Sequence, residues 1–180
     1  MDRAPVTELL PAVSAALGDE PGWIVSGSVA MHLHGLNVST RDLDIWCTDE
    51  ALERFATRLN RPVAARRTKY FESRVLDLSM LGWEVEISGT VELNSGVRLK
   101  VDEAILERAK GSPPVESPED LLAELLALNR EPPKNDFARA CALYELVGRK
   151  IDSAYLRPRL RAWEVSDELI ERLVGHGTEG

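Results

Sequence analysis

The sequence predicts an α/β (α+β) fold: a mixed β-sheet with flanking helices, followed by a C-terminal helical part. Three observations carry this. Early helical periodicity is interrupted by two short apolar strand segments. From Pro62 to Val101 the pattern alternates, with turn signals between runs. From Asp102 onward it is almost wholly helical. The change of pattern divides the chain into an α/β part over 1–110 and a helical part over 111–180.

The elements follow in order. Thr7 to Leu17 places Leu9, Leu10, Val13 and Leu17 on one helical face and stops at Gly18. Trp23-Ile24-Val25 is a strand, Ser26-Gly27-Ser28 a tight turn of small residues, and Val29 to His34 a short helix closed by Gly35. Leu43 to Cys47 alternates after Asp42 and reads as a strand bearing two carboxylates, with a covering helix over Asp49 to Leu59. A β meander is expected next. Strands cover Tyr70 to Leu81 and Trp83 to Ile87, and Asn94-Ser95-Gly96 turns Val91-Glu92-Leu93 into Val97 to Val101. Gly111-Ser112-Pro113-Pro114 reads as a linker. Ser117-Pro118-Glu119-Asp120 then opens a helix to Leu128 with a cap residue, a proline at the first position and acids in the first turn. Helices over Asp136 to Val147, Ala154 to Trp163 and Asp167 to Val174 complete the chain.

Composition narrows the function classes. With 180 residues, 44% hydrophobic and 29% charged, the chain can build a core without metal or disulfide staples. The two cysteines, Cys47 and Cys141, are far apart and form no C-x-x-C spacing, so a zinc ribbon or thiol redox motif is excluded and buried thiols are expected. Met1-Asp2-Arg3-Ala4-Pro5 leads into an amphipathic stretch, and no apolar run approaches ~18 residues; a cytoplasmic protein with no membrane partner is expected. The net charge of −8 disfavours sequence-blind binding of nucleic acid.

Two features could carry chemistry. In an extended strand residues i and i+2 share a face, so Asp42 and Asp44 project side by side, suited to hard divalent cations such as two magnesium ions. Gly27-Ser28, at a strand-to-helix turn, offers backbone N–H groups and a hydroxyl suited to nucleotide phosphates. His32 and His34 lie about 200° apart on a helix and cannot share one metal. Arg157, Arg159 and Arg161 read as a solvated helix face, and Trp23, Trp46, Trp83 and Trp163 as core or interface residues.

Gly27-Ser28, a short helix ending at Gly35, then Thr40-Arg41-Asp42-Leu43-Asp44-Ile45 together resemble the nucleotidyltransferase superfamily motif, nearest the branch of minimal, antibiotic and type IV toxin-like nucleotidyltransferases. The resemblance extends from Trp23 to about Ile87 and more loosely over Val115 to Ala142. It implies a magnesium-dependent enzyme in which an acceptor hydroxyl attacks the α-phosphate of a nucleoside triphosphate and pyrophosphate leaves. It also implies a third carboxylate on a neighbouring strand, completing metal binding and serving as general base. Glu86 between Val85 and Ile87 is the first candidate, with Glu84 and Asp77 as alternatives. Asp42, Asp44 and Glu86 are thus the implied metal and catalytic residues, and Gly27 and Ser28 would hold the triphosphate.

The sequence departs from the family pattern at two places. Val38 and Glu124 stand where relatives often carry basic residues, which weakens the expected triphosphate grip. Lys134, or the cluster Arg66-Arg67-Lys69, is expected to supply the missing positive charge. The acceptor hydroxyl belongs to a small molecule, a protein or a tRNA. A second reading is a binding module without turnover that acts through a protein partner such as an antitoxin.

Overall fold

The computed structural model describes residues 3–176, so the first two residues of the 1–110 part and the last four of the 111–180 part lie outside the description. Eight α-helices and six strands form among them: α1 (Val6–Leu17), β1 (Trp23–Ser26), α2 (Gly27–Leu33), β2 (Asp42–Cys47), α3 (Asp49–Leu59), β3 (Ala64–Arg67), β4 (Phe71–Met80), β5 (Trp83–Leu93), β6 (Arg98–Leu99), α4 (Glu103–Arg108), α5 (Pro118–Leu128), α6 (Asp136–Val147), α7 (Ser153–Ala162) and α8 (Asp167–His176). The sheet runs β1-β2-β5-β4-β3, with β6 beside the far end of β5. Among the named strands of the described residues, β2 and β5 pair in parallel and the other pairs are antiparallel.

Alternation sorts the two faces. Leu43, Ile45, Val85 and Ile87 are buried on the face covered by α1 and α3, whose own apolar residues Leu9, Val13, Leu17, Leu52 and Phe55 are almost wholly buried. Asp42, Asp44, Glu86 and Ser88 alternate with them, and a cavity roofed in part by α5 opens over this second face. The meander β3-β4-β5 forms as expected. Trp83–Ile87 and Val91–Leu93 prove to be one 11-residue strand, because Gly89 between them stays extended under α3. The Asp49 carboxylate accepts from the Thr90 N–H and hydroxyl, each at 2.9 Å, and a Cβ on Gly89 would collide with it. The return strand is correspondingly short, two residues where Val97 to Val101 was expected.

α2 begins directly at Gly27, two residues before the expected start. Residues 114–116 are tied to the sheet edge: the Val25 N–H donates to Pro114 O at 2.8 Å and the Glu116 N–H to Val25 O at 2.9 Å. α5 opens as expected, the Ser117 hydroxyl accepting from the Asp120 N–H at 3.2 Å with proline at the first turn. Cys47 and Cys141 are free and buried, and all four tryptophans are in the core, Trp46 lying 5.9 Å from Trp163. The expectation of a solvated Arg157, Arg159, Arg161 face needs correction. Arg157 and Arg161 are exposed, but Arg159 turns inward, donating to Asp102 at 2.6 and 3.0 Å and to the Tyr155 hydroxyl at 2.9 Å. No helix among the described residues is long and apolar enough to cross a membrane.

Candidate active site

The site is built where β1 passes into α2 beside β2. Ser26 lies opposite Asp44 in the β1–β2 register. Gly27 has φ +62°, and a Cβ there would run into the Asp44 carboxylate. Glycine is required at this position on both counts, backbone conformation and space. The Ser28 N–H donates to that carboxylate. The Gly-Ser turn and the β2 acids, separate signals in the sequence, are thus in direct contact.

The sheet register decides among the candidate third acids. Asp44 pairs with Glu86 across the parallel β2–β5 junction, and Asp42 with Glu84 one step along. Asp77 of β4 pairs with Glu86 from the other side. A cavity of about 380 Å³ is lined by Gly27, Ser28, Asp42, Asp44, Glu86 and Lys134, while Glu84 and Asp77 lie outside its lining, exposed. Glu86 also pairs with Arg66 of β3, whose guanidinium donates to both Asp77 oxygens at 3.0 and 3.1 Å.

Asp42 and Asp44 stand as like charges on one strand face. Burial first, and the neighbouring Asp42 second, push the Asp44 carboxyl up to about 6, against opposing pulls from Lys134, Arg130 and the Ser28 N–H. A divalent cation between the two would relieve that repulsion, so this pair fits a metal. Glu86 is turned to Arg66 instead. Among the described residues, no three His, Cys, Asp or Glu side chains converge closely enough to hold one ion.

The sequence marks Glu124 as an acid in place of a base but gives no sign of Glu116 beside it. Glu124 of α5 lines the cavity and accepts from the Ser26 hydroxyl at 3.3 Å. Glu116 is wholly buried, with the Ser26 hydroxyl, which Glu124 also shares, as its one nearby donor among the described residues. Burial, reinforced by Glu124, holds the Glu116 carboxyl well above the usual range, and burial pushes Glu124 up to about 7. Nothing in the local pattern around Glu116 marks it as buried, since its enclosure comes from the edge strap at 114–116 lying against β1.

These acids give a pH dependence with a definite sign. A carboxyl whose folded pKa is raised binds more protons folded than unfolded, so its favourable contribution is present at low pH and is lost as pH rises from about 4 through about 7. The free protein is expected to melt higher at pH 5 than at pH 8, and Glu124→Gln to flatten the profile, each group contributing up to about 1.4 kcal/mol per pH unit. Thermal unfolding across this range without divalent metal checks it; a flat wild-type profile contradicts it.

Arg130 shows the opposite electrostatics. Asp136 is fully buried yet accepts from the Arg130 backbone N–H at 2.9 Å, Nε at 2.7 Å and Nη2 at 3.2 Å. Of the expected sources of positive charge, Lys134 lines the cavity. The cluster Arg66-Arg67-Lys69 does not supply it: Arg66 is held by Asp77 and Glu86, Arg67 by Glu72 at 2.6 Å, and Lys69 by Glu131 at 3.2 Å. Val38 packs against the core, and His34 Nε2 lies 2.7 Å from Glu116 O, with His32 exposed.

Among solved structures, the chain is similar to the crystal structure of a "putative nucleotidyltransferase" (TM1012) from Thermotoga maritima, with TM-score 0.50 and 19% identity over 88% of this chain and 96% of that one. The fold is nucleotidyltransferase-like. No family model and no curated protein matches the chain. In this nucleotidyltransferase-like fold, the Gly27-Ser28 turn, the β2 acid pair and Glu86 face one cavity.

Proposed function

We propose that the protein transfers a nucleoside monophosphate from a nucleoside triphosphate to an acceptor hydroxyl, releasing pyrophosphate. The observation that carries this reading is the contact between Gly27 and Asp44, which sets a small-residue turn against an acid pair inside a cavity of about 380 Å³, within the range of small-ligand sites. Magnesium held by Asp42 and Asp44 would supply charge stabilisation at the phosphates. The Ser28 hydroxyl and the Gly27-Ser28 backbone bind and orient phosphate oxygens. Glu86, once released by Arg66, accepts the proton of the acceptor hydroxyl as that oxygen bonds to the α-phosphorus and the bond to the β-phosphate oxygen breaks.

Incubation with each α-labelled nucleoside triphosphate, scored for pyrophosphate release and label transfer to small-molecule, protein and RNA acceptors, tests the reading. Glu86→Gln is expected to keep nucleotide binding within about threefold and to lower transfer by about 10²-fold or more. Unchanged transfer in this variant removes Glu86 from the role of base.

A second reading is favoured by the Glu86–Arg66 pair and by the acidic Glu124 in the cavity: a nucleotidyltransferase-like binding module that has lost turnover and acts through a protein partner such as an antitoxin. Metal-independent nucleotide binding, with no transfer to any acceptor, selects it.

A further inference from the structure

The cavity extends past Glu86, away from the Gly27-Ser28 turn, to an apolar end on β4 and β5. Strand order sets this direction: the turn leads off β1, the acid pair is on β2, Glu86 on β5, and Phe71 and Ser73 on β4. Ser73 pairs with Val91 and Asp77 with Glu86, so the stretch of β4 from 73 to 77, roughly 13 Å, separates the two rows. A β-bulge shapes this end. The step from Ser73 to Val75 on β4 is matched by a longer one on β5, from Val91 to Ser88, so β5 carries the extra residue. Gly89 and Thr90 both lie against Asp49 of α3, and Val91 thereby returns to the face of Glu86 and Ser88 and lines the cavity.

Phe71, Val91 and Leu128 give this end apolar walls. Ser73 lines it too, on the face opposite Arg74, which reaches Glu53 of α3. Ser73 is only 7% exposed, and its hydroxyl has no hydrogen-bond partner among the described residues. A buried hydroxyl left unpaired is costly, and an acceptor group on a ligand would offset that cost. We propose that this end receives the acceptor of the transfer reaction, a small alcohol bearing an uncharged apolar ring, with one hydrogen-bond-accepting substituent that meets the Ser73 hydroxyl. The proposal rests on the nucleotide-transfer reading for the reaction and deepens it by naming the acceptor class. The place of Glu86 decides which substrate lies here. A general base stands on the acceptor's side of the α-phosphorus, opposite the leaving pyrophosphate, and this end lies beyond Glu86. Apolar walls favour an uncharged ring there, because a charged group would lose its water without gaining a partner.

Titration of para-methoxybenzyl alcohol and of benzyl alcohol, followed by ligand-observed NMR, tests the pocket on wild type, Ser73→Ala and Val91→Asp. Alcohols of this size are expected to bind in the millimolar range. Ser73→Ala should weaken the methoxy probe about fivefold and leave benzyl alcohol within about twofold, a difference that a general packing defect would not produce. Val91→Asp should weaken both about tenfold or more. No binding of either alcohol to the wild type, or equal losses of both in Ser73→Ala, overturns the pocket. Free nucleosides form the other arm. If the two variants weaken a nucleoside and leave both alcohols unchanged, this end holds the nucleobase and the acceptor assignment falls. If the alcohols bind as expected and no label passes to any acceptor, the pocket stands as a ligand site and the transfer reading falls. If label passes to protein or RNA and the alcohols do not bind, the pocket falls and the transfer reading stands.

Discussion

Asp44→Asn is expected to abolish the magnesium-dependent stabilisation of the protein by its nucleotide. In the wild type, a nucleoside triphosphate at about 100 times its dissociation constant adds about 2.7 kcal/mol. For a chain of this size that is a rise of roughly 5–10 °C in melting temperature. Asp44 is central to the proposed site because it touches Gly27, accepts from the Ser28 N–H and shares its strand face with Asp42. Asparagine keeps the shape and removes the charge that would attract the metal. It also relieves a carboxyl raised to about 6 by burial and by Asp42, so the ligand-free variant should melt no lower than wild type at pH 7.5. Loss of the ligand shift in a variant of equal or greater intrinsic stability separates a binding role from a folding role. A retained shift with magnesium and nucleotide would mean that the acid pair does not anchor the metal.

Gly27→Val is expected to damage both fold and site. The positive φ of Gly27 costs about 1–3 kcal/mol for a β-branched residue. The added Cβ must also displace the Asp44 carboxylate, because it points straight at it. Urea unfolding should show that loss, and nucleotide-induced stabilisation should vanish even at temperatures where the variant remains folded. Gly27→Ala should show the same pattern with a smaller stability loss. A Gly27→Val protein with wild-type stability and an intact nucleotide shift would mean that this turn relaxes freely and does not set the position of Asp44.

What is legible in the chain follows the range of the interactions concerned. Periodicity places α1, α3 and α5 within one or two residues of their observed bounds, because an amphipathic stripe and its end signals are local. The Thr40 to Ile45 acid pair and the Gly27-Ser28 turn are likewise visible in the chain. Choosing among Glu86, Glu84 and Asp77 is not local: it depends on the parallel register that sets Glu86 beside Asp44 and on which side chains α5 roofs over.

The succession of elements, the mixed α/β character and the two motifs that meet at the cavity are legible in the chain, since each rests on neighbours within a turn or a strand pair. That Glu86 faces the cavity yet pairs with Arg66, and that Arg67 and Lys69 are paired away from it, follows from packing between elements distant in the chain. Packing also buries Glu116 beside Glu124 and brings Arg41 and Arg139 into the cavity lining. A charge acts through the other charges and the water around it, and those are fixed by strands and helices far away in the chain.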